Sequence, residues 1–138
     1  MLEPKKIKHL KVQKNILKGP STRGTKLIFG NYGIKSIDKF KFITQKQIES
    51  ARISISKFLR NNGKLFIKIF PYKPITKKPQ EVRMGKGKGA FEMWVSPVRS
   101  GKIIFELKNM EYLEAKKALI AASHKLPIKT KFIYLNYD

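Results

Sequence analysis

The run Arg83-Met84-Gly85-Lys86-Gly87-Lys88-Gly89 alternates glycine with lysine, a pattern suited to holding an anion. Residues without a Cβ let backbone N–H groups approach a phosphate closely, and the lysines between them place charge at the same spot. A nucleotide P-loop would need Ser or Thr after a Gly-Lys pair and then a helix. Here Ala90-Phe91 follows and opens a strand-like stretch, so the loop reads as one laid against a nucleic-acid backbone. Just upstream, Pro71-Tyr72-Lys73-Pro74-Ile75-Thr76-Lys77-Lys78-Pro79 reads as a stiff, basic connector. Proline keeps such a segment extended, so Lys73, Lys77 and Lys78 can track a phosphate path at small ordering cost.

Catalytic chemistry has little to work with. His9 falls in an irregular N-terminal stretch and His124 at a helix end, neither beside an evident carboxylate. The nine acidic residues are scattered, with no local spacing that suggests an acid/base dyad or a metal cage. They read instead as helix-end charges and ion-pair partners. No catalytic residue, cofactor, metal or small-molecule substrate is therefore expected. The absence of cysteine removes disulfides and thiolate metal sites and fits a reducing compartment.

Charge is the dominant feature. Thirty-one Lys and Arg face nine Asp and Glu, a formal net charge of +22 on 138 residues. Internal acids cannot offset that repulsion, and a polyanion can. Nucleic acid is the natural one, because each neutralised phosphate also releases condensed counterions. Membrane binding is the competing reading of a basic chain, but no face reads as a membrane anchor and no apolar run nears the ~20 residues of a spanning helix. Aromatics at strand spacing, Trp94 among them, read as core rather than as a base-stacking platform.

The elements that must position these residues follow from local signals. Residues 1–26 form a basic N-terminal extension without a stable period, an arm expected to order on its partner through Lys5, Lys6, Lys8, Lys11, Lys14 and Arg23. Residues 27–138 form a single domain. Leu27-Ile28-Phe29-Gly30 and Tyr32-Gly33-Ile34 suggest short strands. Thr44 with Gln47 makes a capping box, Ile43 can staple onto Ile48, and the spacing predicts a helix over 44–61 closed by Asn61-Asn62-Gly63. Strands are predicted over 65–70, 91–95 and 102–107, the last two joined by a turn around Pro97 and Gly101. Residues 71–89 can sustain neither helix nor central strand. A second helix is expected over 111–125, burying Ala115, Ala118, Leu119 and Ala122, then an edge strand over 128–135 with Lys129 and Lys131 outward. The fold class is α+β: two helices on a mostly antiparallel sheet, with a basic arm and a long Gly/Lys-rich loop.

Several stretches together resemble a known family. Pro4-Lys5-Lys6, Ile48-Glu49-Ser50-Ala51-Arg52, Phe70-Pro71 with Lys73-Pro74-Ile75-Thr76, Val82 through Gly89, Trp94-Val95 and Lys125-Leu126-Pro127-Ile128-Lys129-Thr130 are similar to large-subunit ribosomal protein sixteen in its bacterial and organellar form. The likeness runs almost end to end, with departures at Lys6, Tyr72, Met93 and residues 97–100. It implies a structural constituent of the large ribosomal subunit, bound to large-subunit rRNA and to neighbouring ribosomal proteins. It also implies that the loop, with Arg83, Met84, Gly85, Lys86, Gly87 and Lys88, lies near aminoacyl and peptidyl tRNA beside the peptidyl-transferase centre. The wealth of Lys, Ile, Phe, Asn and Tyr points to an A/T-rich genome, and the chain opens without a cleavable-looking presequence. A mitochondrial ribosome is the expected location, with a plastid or an A/T-rich bacterium as alternatives. A free-standing RNA-binding regulator would also explain the charge, and a phosphate-transferring enzyme the loop.

Overall fold

A computed structural model describes residues 1–59 and 63–135. The chain runs β1 (Tyr32–Ser36), β2 (Phe40–Thr44), α1 (Gln45–Ser56), β3 (Lys64–Ile67), β4 (Lys73–Lys77), β5 (Ala90–Arg99), β6 (Ile103–Lys108), α2 (Tyr112–Ser123) and β7 (Thr130–Tyr134). The α+β class is as expected, but the strands form two antiparallel sheets rather than one. The first is ordered β3-β6-β1-β7 and the second β2-β5-β4.

Helix α1 starts where its signals lie. Thr44 Oγ1 accepts from the Gln47 amide at 3.3 Å, and the Thr44 amide donates to Gln47 Oε1 at 2.9 Å. Two otherwise orphaned donors are thus satisfied reciprocally. Its buried face is Ile48, Ala51 and Ile55. The helix stops at Ser56, earlier than predicted, with Lys57 as C-cap; of the expected closing residues, Asn61 and Asn62 lie outside the described residues. Helix α2 buries Ala115, Ala118, Leu119 and Ala122, the predicted face. Small side chains there let the two helices approach, and they share one core with Ile34, Ile104, Phe105 and Leu107 of the first sheet.

Strand β6 is buried at every position from Ile103 to Leu107. Because side chains alternate between faces, such a run needs cover on both. Residues 24–31 lie along it: the Ile103 amide donates to Gly24 O and the Asn31 amide to Leu107 O, each at 2.9 Å.

Four expectations are corrected. Leu27-Ile28-Phe29 is not a strand: the Ile28 and Phe29 amides donate to the Glu106 carboxylate instead of to a neighbouring strand. Strand β2 was not anticipated; it exists through pairing with β5, Phe40 opposite Arg99 and Thr44 opposite Val95. Residues 73–77 form a strand within the stretch read as a connector, at a sheet edge where proline is tolerated. Finally, β5 runs straight through Pro97, which pairs with Phe42 on one side and lies past the end of β4, whose outermost partner is Val95. The turn comes later, at Gly101 with φ +88°. The predicted last strand forms as β7 at the edge of the first sheet, with Lys129 and Lys131 exposed.

Candidate nucleic-acid interface

The glycine-lysine run is the far end of the β4–β5 hairpin. Its base closes at Gly89, where an added Cβ would lie 2.5 Å from the Lys77 carbonyl carbon. At the tip, Gly85, Lys86 and Gly87 have φ of +103°, +57° and +84°, a left-handed run that glycine makes inexpensive. Lys78 Nζ reaches back to donate to Gly85 O, bracing the loop from its own stem. Arg83, Lys86 and Lys88 are exposed, and Met84 projects fully into solvent.

The N-terminal arm meets this hairpin. Lys11 Nζ donates to Lys88 O at 3.3 Å, and Lys88 Nζ donates to Val12 O. A small cleft lined by Val12, Lys14, Lys73 and Lys88 marks the crossing. Lys14 and Lys73 each stand 5.7 Å from the centroid of the same Phe42 ring, so two cations share one aromatic ring. Lysines from residues 11–14, β4 and the loop thus converge, although the sequence separates Lys11 from Lys88 by 77 positions. Of the other candidates, Lys5, Lys6 and Lys8 are exposed on the first stretch of the arm, where Leu2 packs on the core and Glu3 Oε2 accepts from Gln45 Nε2 at 3.4 Å. Lys77 makes an exposed ion pair with Glu92 at 3.7 Å, a contact worth little in water. Arg23 lies apart from the hairpin, beside β5.

Acidic groups act as fasteners within the body. Glu106 is completely buried, and its Oε2 accepts from the amides of Ile28 (3.3 Å), Phe29 (2.7 Å) and Gly30 (3.0 Å). Lys68 Nζ sits 3.6 Å from its other oxygen and 4.1 Å above the Phe29 ring. Asp38 accepts from the Lys129 amide at 2.9 Å, and that bond, with Lys41 at 3.5 Å, holds its carboxyl below the usual range. The Arg52 guanidinium, 2.6 Å from Glu49, lowers the Glu49 carboxyl in the same way and is itself raised. Among the described residues no group of three or more metal-ligating side chains gathers. Reading the sequence missed Phe42 as a platform, Arg99 and Lys102 as cations gathered with Arg23 away from the hairpin, and Glu106 as the anchor; nothing local in the sequence marks any of them.

Fold and surface together define a basic α+β protein whose cations gather on one arm, one sheet edge and one hairpin tip. Comparison with known proteins narrows this class to a family. The family model described as Ribosomal protein L16p/L10e matches residues 4–133. The chain is 53% identical over 136 residues to the "Large ribosomal subunit protein uL16" of Karelsulcia muelleri, covering 99% of both chains. To the protein of the same name from Flavobacterium psychrophilum it is 54% identical over 134 residues, covering 96% of this chain and 95% of that one. The chain belongs to the ribosomal protein L16p/L10e family. It is a ribosomal structural protein and not an enzyme, and the free-standing regulator left open by the sequence gains no support.

Proposed function

We propose that the chain is a structural constituent of the large ribosomal subunit, bound to large-subunit rRNA and to neighbouring ribosomal proteins. The observation that carries this is its near end-to-end likeness to two proteins named for that subunit, at 53% and 54% identity. In this reading Lys5, Lys6, Lys8, Lys11, Lys14 and Arg23 of the arm, with Lys73, Lys77 and Lys78 on the hairpin stem, neutralise rRNA phosphates. The convergence of arm and stem over Phe42 supports a continuous track rather than isolated contacts. Arg83, Met84, Gly85, Lys86, Gly87 and Lys88 at the tip reach the aminoacyl- and peptidyl-tRNA region. The braced, outward-projecting hairpin is suited to that reach, and the tRNA assignment itself rests on the family resemblance.

Both relatives are bacterial, so the mitochondrial expectation lacks support, and the location we favour is the ribosome of a bacterium. Sedimentation of a cell lysate through sucrose, with the chain followed by mass spectrometry, tests the assignment. Stoichiometric presence in large-subunit and monosome peaks after a moderate salt wash is expected. Confinement to the light fractions would overturn it.

A further inference from the structure

A second basic feature lies away from the hairpin. A cavity of about 340 Å³ opens where the arm, the chain between β3 and β4, and the end of β5 meet. Arg23, Lys68, Arg99 and Lys102 line it, and no acidic residue does. Lys68 is matched by Glu106 behind it. Among the described residues, Arg99 and Lys102 donate to backbone carbonyls alone, Arg99 Nη1 to Lys18 O at 3.4 Å and Lys102 Nζ to Arg23 O at 3.5 Å. Their charge is therefore uncompensated, and a ligand here must be anionic.

The walls add a second requirement. Phe70 and Tyr72 stand at the cavity, 43% and 55% exposed, while Ser96 beside them is buried. Two solvent-facing aromatics next to uncompensated guanidinium and ammonium groups suit a flat ring carrying a phosphate. The volume falls in the ~300–1,000 Å³ range of ligand sites, enough for one nucleotide and too small for a helix. The cavity is also built in advance. The Ser21 amide donates to Ser100 O at 2.8 Å, and the Ile103 amide to Gly24 O at 2.9 Å, so this part of the arm is fixed as a wall.

We propose that this cavity receives one unpaired RNA nucleotide, its base stacked on Tyr72 and Phe70 and its phosphate on Arg23, Arg99 and Lys102. Single-stranded bases are read in this way, by stacking on aromatic rings with charge beside them. The proposal deepens the rRNA-binding reading by naming the form of RNA bound at this place, and it rests on that reading.

The test uses the purified full chain and fluorescence anisotropy with a labelled single-stranded hexaribonucleotide, an RNA duplex and AMP. Tyr72→Ala, at an exposed side chain, is expected to weaken the single strand about tenfold while leaving the duplex unchanged. Arg99→Gln is expected to weaken the single strand more than the duplex. No loss in Tyr72→Ala, or equal losses on both RNAs, would overturn the proposal by making the cavity part of a general phosphate surface. AMP binding as tight as the hexamer would overturn it in favour of a free-nucleotide site. Failure of the ribosomal assignment shows separately, in the sedimentation profile.

Discussion

Two glycine-bearing segments of this chain place their backbones near charge in opposite ways. Around Gly30 the amides close on an internal carboxylate, and an added Cβ would stand 2.4 Å from Leu107 O. Around Gly85 and Gly87 the backbone turns left-handed in open space, where an added Cβ would meet nothing within 4 Å. In the first segment glycine permits close approach, and the cation beside it, Lys68, is matched by an anion. In the second it permits conformation and clearance, and exposed lysines face outward. The same residue type serves an interaction completed on folding in one place and an open, exposed basic tip in the other.

That contrast is sharpest at Glu106. Glu106→Ala removes the acceptor of three amides and the counter-charge of Lys68, and should cost about 3–5 kcal/mol in denaturant unfolding. A loss under 1 kcal/mol would mean that the amides find water and the segment is not anchored there. Next in size is Gly30→Ala, expected to cost about 1–3 kcal/mol because the Leu107 backbone cannot easily retreat from the new methyl. An unchanged melting transition would show that residues 24–31 ride loosely over β6.

On the outward-facing side the effects move from stability to binding. Replacing Lys5, Lys6 and Lys8 together with Ala should lower the salt dependence of rRNA affinity by roughly 0.9 in the log–log slope per lost phosphate contact. An unchanged slope would remove the first stretch of the arm from the interface. The smallest effect on folding belongs to Arg83→Glu, which should shift stability by no more than about 0.5 kcal/mol while impairing translation by reconstituted subunits. A marked loss of thermal stability would make Arg83 a partner within the fold instead of a tip contact.

What the sequence disclosed follows the range of the interactions. Helix α1 was legible because its start is written within four residues, Thr44 to Gln47. The buried face of α2 was legible from spacing alone. Strand β2 was not, because it depends on β5, with Ile43 pairing Ser96 far along the chain. Glu106 was hidden for the same reason. One acid near the end of an apolar strand shows no sign of its buried role until Gly30, 76 positions away, arrives to cover it. The lysines of the candidate interface were visible as a list, but their meeting over Phe42 was not, since it requires the arm to cross the second sheet.

The edge position of β7 has one more consequence. Among the described residues β7 pairs with β1 on one side and with no strand on the other. Such a margin is a template on which another copy can add a strand and begin aggregation. Exposed Lys129 and Lys131 lie along this margin, on a chain whose net charge is +22. Two copies meeting there would bring like charges together. Cations placed there act as gatekeepers, disfavouring edge-to-edge pairing between copies of the chain.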